Sequence, residues 1–105
     1  MKLLVVLSIK EFREKVTELL QKAGVNRFSV INMTGYKRNK RSPYDNWFGA
    51  QSDNAKTNSI LLFSFTTQEI AESVITSINQ CNEDAQNAYP VHAFILDVES
   101  FSNLL

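Results

Sequence analysis

The sequence has little of what marks the specialised protein classes. It holds one cysteine, Cys81, so no disulfide can form within the chain and a disulfide-stapled secreted mini-domain is excluded. Three glycines and two prolines exclude collagen-like and low-complexity architectures. No apolar run approaches the roughly 20 residues that a membrane helix needs, so no direct membrane insertion is expected and any membrane connection runs through a partner protein. Met1–Lys2–Leu3–Leu4 lacks the apolar region and cleavage site of a signal peptide, which gives an expectation of cytoplasmic residence. Eleven basic residues are cancelled by eleven acidic ones, removing the excess of Lys and Arg on which general nucleic-acid binding depends. Cys81 and the single histidine, His92, lie too far apart in sequence to form a metal-ligand signature. No GxSxG, HExxH or P-loop occurs, and neither Cys81 nor His92 has a visible catalytic partner, so an enzyme is not expected.

What is present reads as one domain over residues 1–105, since domains usually run to roughly 100–150 residues. Leu3 to Leu7 is a continuous Val- and Leu-rich run, the pattern of a strand buried on both sides and central in its sheet. Ser8 and Glu11 have capping-box spacing. Phe12, Val16, Leu19, Leu20 and Ala23 then recur at helical spacing, and Gly24 supplies a left-handed stop. Phe28 to Met33 is β-prone. A polar stretch at about 36–58 follows, and Ser59 to Phe65 is again a strand. Thr66 and Glu69 repeat the capping-box spacing, and Ile70, Val74, Ile75, Ile78 and Cys81 form the apolar stripe of a second helix. The polar segment from Asn82 to Tyr89 is expected to end it. Pro90 then opens a last strand, VHAFILDV.

This order predicts an α+β class: a ferredoxin-like βαββαβ sandwich, with a four-stranded antiparallel sheet and two helices on one face. The strands lack the polar alternation of a half-solvated sheet, so the face without helices also calls for cover. Association of copies is the simplest source of it.

The long segment at 36–58 carries Lys37, Arg38, Lys40 and Arg41 beside Tyr44, Trp47 and Phe48. Cations beside aromatics are the residue types of interface hot spots, so Lys37, Arg41, Tyr44, Trp47 and Phe48 are candidates for docking a partner. The bland alternative is a solvated loop whose aromatics fold back onto the sheet. RNA binding on the same topology is disfavoured, because SILLFSF lacks the basic-Gly-aromatic pattern of an RNA-recognition strand.

Element order, KLLVVL as first strand, TGYKRNK opening the long loop, SILLFSFT running into the second helix and HAFILDVE at the last strand together resemble a divergent member of the PII-like signal-transduction family. The likeness covers nearly the whole chain. It implies a homotrimer that needs no cofactor for covalent chemistry and senses a small effector, an adenine nucleotide or another anion, in clefts between subunits. The long loop, the T-loop of the family, then controls a partner such as a membrane transporter. On this resemblance Gly35, Arg38, Asn39, Lys40 and His92 are the candidate effector contacts. One departure is chemical: Asn82 to Pro90 stands where the family has a glycine-rich phosphate cradle, yet it holds no glycine and carries Glu83 and Asp84, which repel phosphate. CutA-like trimeric proteins share the topology, and a metal-responsive or purely interacting module without nucleotide sensing is the alternative.

Overall fold

The computed structural model describes residues 1–36, 56–85 and 89–102. Strand β1 (Lys2–Ile9) is followed by a 3-10 turn (Lys10–Phe12) and helix α1 (Arg13–Lys22); β2 (Ser29–Tyr36), β3 (Lys56–Thr66), α2 (Gln68–Ala85) and β4 (His92–Asp97) complete the βαββαβ order. The sheet runs β2-β3-β1-β4, and every neighbouring pair is antiparallel. As its apolar run implies, β1 is interior. Leu4 and Val6 are wholly buried against the helices.

Alternation along the strands divides the sheet into two faces. Leu4 and Val6 of β1 share one face with Ile60 and Leu62 of β3, and these pack with Val16 and Leu20 of α1 and Ala71, Val74 and Ile78 of α2. Both helices therefore cover that face, using the stripes their 3.6-residue spacing prescribes. α1 ends in a Schellman arrangement: the Gly24 N–H donates to the Gln21 carbonyl at 3.1 Å and the Val25 N–H to the Leu20 carbonyl at 3.0 Å. Gly24 has a φ of 101°, a value a glycine adopts without the clash an L side chain would suffer.

The helix starts differ from the capping boxes expected of them. Ser8 lies inside β1, paired with Ile60, and its hydroxyl donates to the Ile9 carbonyl rather than accepting from a helix N–H. The pairing of Ile9 with Ser59 carries the strand past the expected cap, and the chain enters α1 through the 3-10 turn with no side-chain cap at either start. At α2 the cap is Thr67, one residue later than expected: its hydroxyl accepts the Ile70 N–H at 3.2 Å. Thr66 is held in the sheet opposite Lys2.

Two further boundaries move outward. The β2–β3 ladder continues to the pairs Thr34–Asn58, Gly35–Thr57 and Tyr36–Lys56, so both ends of the stretch expected as loop at 36–58 are strand. α2 runs through Asn82 to Ala85, where a break was expected. The Gln80 amide donates to the Asp84 carboxylate at 2.9 Å, an i,i+4 pair that supports the last turns. Among the described residues no helix is long and apolar enough to cross a membrane.

Candidate functional site

Among the described residues, the face of the sheet away from the helices is rich in apolar side chains. It carries Leu3, Val5 and Leu7 of β1, Leu61, Phe63 and Phe65 of β3, Ile31 and Met33 of β2, and Phe94 and Leu96 of β4, as the register of the paired strands dictates. Phe63 and Phe65 meet edge to face, with ring centroids 6.4 Å apart. Ile31, Phe65 and Leu96 remain 50%, 57% and 47% exposed. Covering an apolar side chain of this size is worth roughly 1.5–3 kcal/mol in full and about half that from a half-exposed start. Leu7 of this face is buried and Leu3, Val5, Leu61, Phe63 and Phe94 are half-buried, and the exposed apolar side chains beside them mark a candidate interaction surface.

At the end of the sheet where β2 and β3 run on toward the long loop, the helix-side face changes character. Val30 and Leu62 are a core pair, whereas Thr34 stands opposite Asn58, and Asn32 lies beside Thr34. Lys10 from the 3-10 turn joins Asn32, Thr34 and Asn58, with Met33 and Ser59 between them in the strands, around a recess of about 250 Å³. It contains one cation, several amide and hydroxyl groups and no acid, a lining suited to a small oxyanion. None of Lys10, Asn32, Thr34, Asn58 and Ser59 is among the sequence candidates. The signal was the polar interruption of an otherwise apolar alternation, Val30-Asn32-Thr34 on one strand and Asn58-Ile60-Leu62 on the other.

Of the candidate effector contacts, Gly35 is a buried strand residue paired with Thr57. His92 opens β4 opposite Leu7, is half-buried, and shares the helix-free face with Phe94. Sheet order sets β2 and β4 at opposite edges, three strand spacings or roughly 14 Å apart. The fold thus does not bring Gly35 and His92 together within one copy. Arg38, Asn39 and Lys40 lie outside the described residues, as do Lys37, Arg41, Tyr44, Trp47 and Phe48.

Where the family resemblance would place a glycine-rich cradle, the described part of the segment is tied by a side chain. The Asn82 amide donates to the Val91 carbonyl at 2.8 Å and accepts the Val91 N–H at 2.9 Å. One amide thereby satisfies both backbone groups of the residue before β4, as a neighbouring strand would. Cys81 is half-buried and lines a groove between the helices, on the opposite side of the sheet from His92, so these two do not form a metal pair. Among the described residues no cluster of His, Cys, Asp and Glu could hold a metal ion. At the far end of the sheet Lys2 pairs with Asp97, and this hydrogen bond, reinforced by the Lys2 charge, holds the Asp97 carboxyl below its ordinary value.

No protein-family model matches the sequence, and no curated protein is similar to it in sequence. Solved structures are similar in fold. CPII from Thiomonas intermedia K12, a nitrogen regulatory PII-like protein bound to ADP, AMP and bicarbonate, matches 98% of this chain and 94% of its own at a TM-score of 0.66 and 17% identity. The apo form of CPII matches 92% of this chain and 87% of its own at 0.66 and 18% identity. A putative PII-like signalling protein from Thermus thermophilus matches 90% and 82% at 0.62 and 18% identity. Sheet order, helix placement and near-complete coverage in both directions agree: the chain has the ferredoxin-like βαββαβ fold of the PII-like signalling proteins.

Proposed function

We propose that the chain is a PII-like regulatory protein whose copies associate as a homotrimer through the helix-free sheet face, hold a small anionic effector in the crevices so created, and control a partner through the residues between β2 and β3. The single observation that carries this reading is the uncovered apolar face, on a fold that matches over nearly its full length a protein bound to ADP, AMP and bicarbonate. Gly35 and His92 at opposite edges favour a site shared between copies, because one ligand can touch both edges only where sheets meet. Arg38, Asn39 and Lys40, directly following β2, would bring cationic and amide groups to that crevice. Lys37, Arg41, Tyr44, Trp47 and Phe48 would meet the partner, and a membrane transporter is the partner class we assign.

No covalent step is needed. An effector that binds one arrangement of the loop more tightly than another shifts the population by that difference in affinity. Glu83 and Asp84, both exposed near the end of α2, oppose a long phosphate chain at the start of β4, so a nucleotide with few phosphates or bicarbonate fits better than ATP.

Calorimetric titration with AMP, ADP, ATP and bicarbonate tests the proposal. Saturable binding of at least one of them is expected, with thermal stabilisation of the folded state that grows with ligand concentration. Absence of both heat and stabilisation for all four would refute effector sensing and leave an interaction module.

A further inference from the structure

We propose that Asn82 is the residue that fixes the register of β4, and through it the placement of His92 and Phe94 on the helix-free face. The consequence for ligand binding rests on the reading above that His92 is an effector contact.

β4 needs such a device. It is an edge strand, and among the described residues β1 is its only neighbour in the sheet. Register is strongly specified where one face of a strand is apolar and the other polar, because a slip by one residue turns every side chain to the opposite face. β4 has no such contrast over its middle. Ala93 and Ile95 pack against the core, while Phe94 and Leu96 stand on the open side. A slipped strand exchanges one apolar pair for the other, so side-chain polarity discriminates weakly between the two phases.

The ends of the strand supply what the middle lacks. At its far end the cross-strand partners Lys2 and Asp97 join their side chains, but Asp97 is largely exposed and such a pair is weak. At its start the half-buried Asn82 accepts the Val91 N–H at 2.9 Å and donates to the Val91 carbonyl at 2.8 Å. These bonds are directional, and neither neighbour of Val91 suits them. Pro90 has no N–H to give. His92 in that place would turn its imidazole into the core, where Val91 now lies only 5% exposed, and a polar ring would lose its water there. Asn82, held in the last turns of α2, thus opposes a slip in either direction. His92 then falls opposite Leu7 and shares its face with Phe94. Asn82 is a positioning residue, because it acts on His92 through the backbone of Val91.

Loss of both bonds is expected to change the ratio of the two phases roughly 5–30-fold. His92 is the only histidine of the chain, so its imidazole signals in a proton–carbon NMR spectrum are identified at once and report the phase of β4. One set is expected for the parent. Asn82→Ala is expected to show a second set, whose intensity gives the fraction of molecules out of register. Calorimetric titration with AMP, ADP, ATP and bicarbonate is then expected to show, for each ligand the parent binds, an affinity reduced by the fraction that stays in register. Asn82→Asp keeps the acceptor for the Val91 N–H and lacks the donor for its carbonyl. It is expected to show a smaller second set, and it carries the test if Asn82→Ala does not fold. Gly24→Ala is the control: it lies beside the first turn of α2, a helix length from Asn82, and is expected to lower stability while keeping the parent's imidazole signals and affinities. Imidazole signals that match the parent's in both Asn82 variants, or that change equally in Gly24→Ala, would overturn the proposal. A parent protein that binds none of the four ligands would refute the effector reading alone, since the His92 signals still decide the register.

Discussion

Single residues at the ends of elements carry much of what makes this chain adopt one structure. Gly24 is the clearest. At a φ of 101° an added Cβ would sit 3.8 Å from the Ile70 side chain, an ordinary contact, so substitution costs backbone conformation and not space. Gly24→Ala is expected to lower stability by roughly 1–2 kcal/mol in urea denaturation, while leaving the oligomeric mass unchanged. The Lys2–Asp97 pair gives a prediction in pH. Its folded-state carboxyl is depressed below the ordinary 3.8, first by the Lys2 hydrogen bond and then by the Lys2 charge. A depressed carboxyl contributes stability that is present above the unfolded value and lost as pH falls through the folded one. The Asp97→Asn variant is therefore expected to be slightly less stable than the parent at pH 7, with the difference closing below about pH 4 as the parent carboxyl protonates. Asp97 is largely exposed, so the effect at neutral pH is small. A difference independent of pH would show that this pair contributes nothing through charge.

At the scale of elements, hydrogen-bond competition decides where strands yield to helices. Thr67, not Thr66, caps α2, because Thr66 is still engaged opposite Lys2 in the sheet. Thr67→Ala is expected to cost about 1 kcal/mol and Thr66→Ala distinctly less, measured by chemical denaturation of the two variants side by side. Reversed magnitudes would restore the expected capping box. The same competition explains what was legible in the sequence and what was not. Apolar spacing of 3.6 residues located α1 and α2 and their buried stripes, and the Val-, Leu- and Ile-rich runs located the strands, because both patterns are local. Element ends were not local. Ser8 looked like a cap until its pairing with Ile60 placed it within β1, and the ladder from Thr34–Asn58 to Tyr36–Lys56 lengthened β2 and β3 through residues whose composition resembled loop. Asn82 belongs by composition to a helix-breaking segment, yet its amide clasps Val91 nine positions away. The recess around Lys10 needs β2 and β3 to be paired before Asn32, Thr34 and Asn58 fall together, so alternation hinted at polarity without showing a site.

For the whole molecule, the decisive property is that the chain has more apolar sheet surface than its two helices cover. This was legible early, since LLVVL, SILLF and AFIL lack polar alternation. The register adds which side chains stand on the open side, Ile31, Phe65 and Leu96 among them. The proposed site, divided between the β2 and β4 edges, needs copies to assemble, so effector binding as proposed depends on assembly, although assembly does not depend on it. Sedimentation equilibrium in about 0.5 M salt, where contacts set by surface charge are screened, tests this most directly. The expected mass is three times the 12.0 kDa of the chain, falling to a single chain when Ile31→Glu and Phe65→Glu together place charge on the open face. A parent protein that sediments as one chain at high concentration would contradict the account.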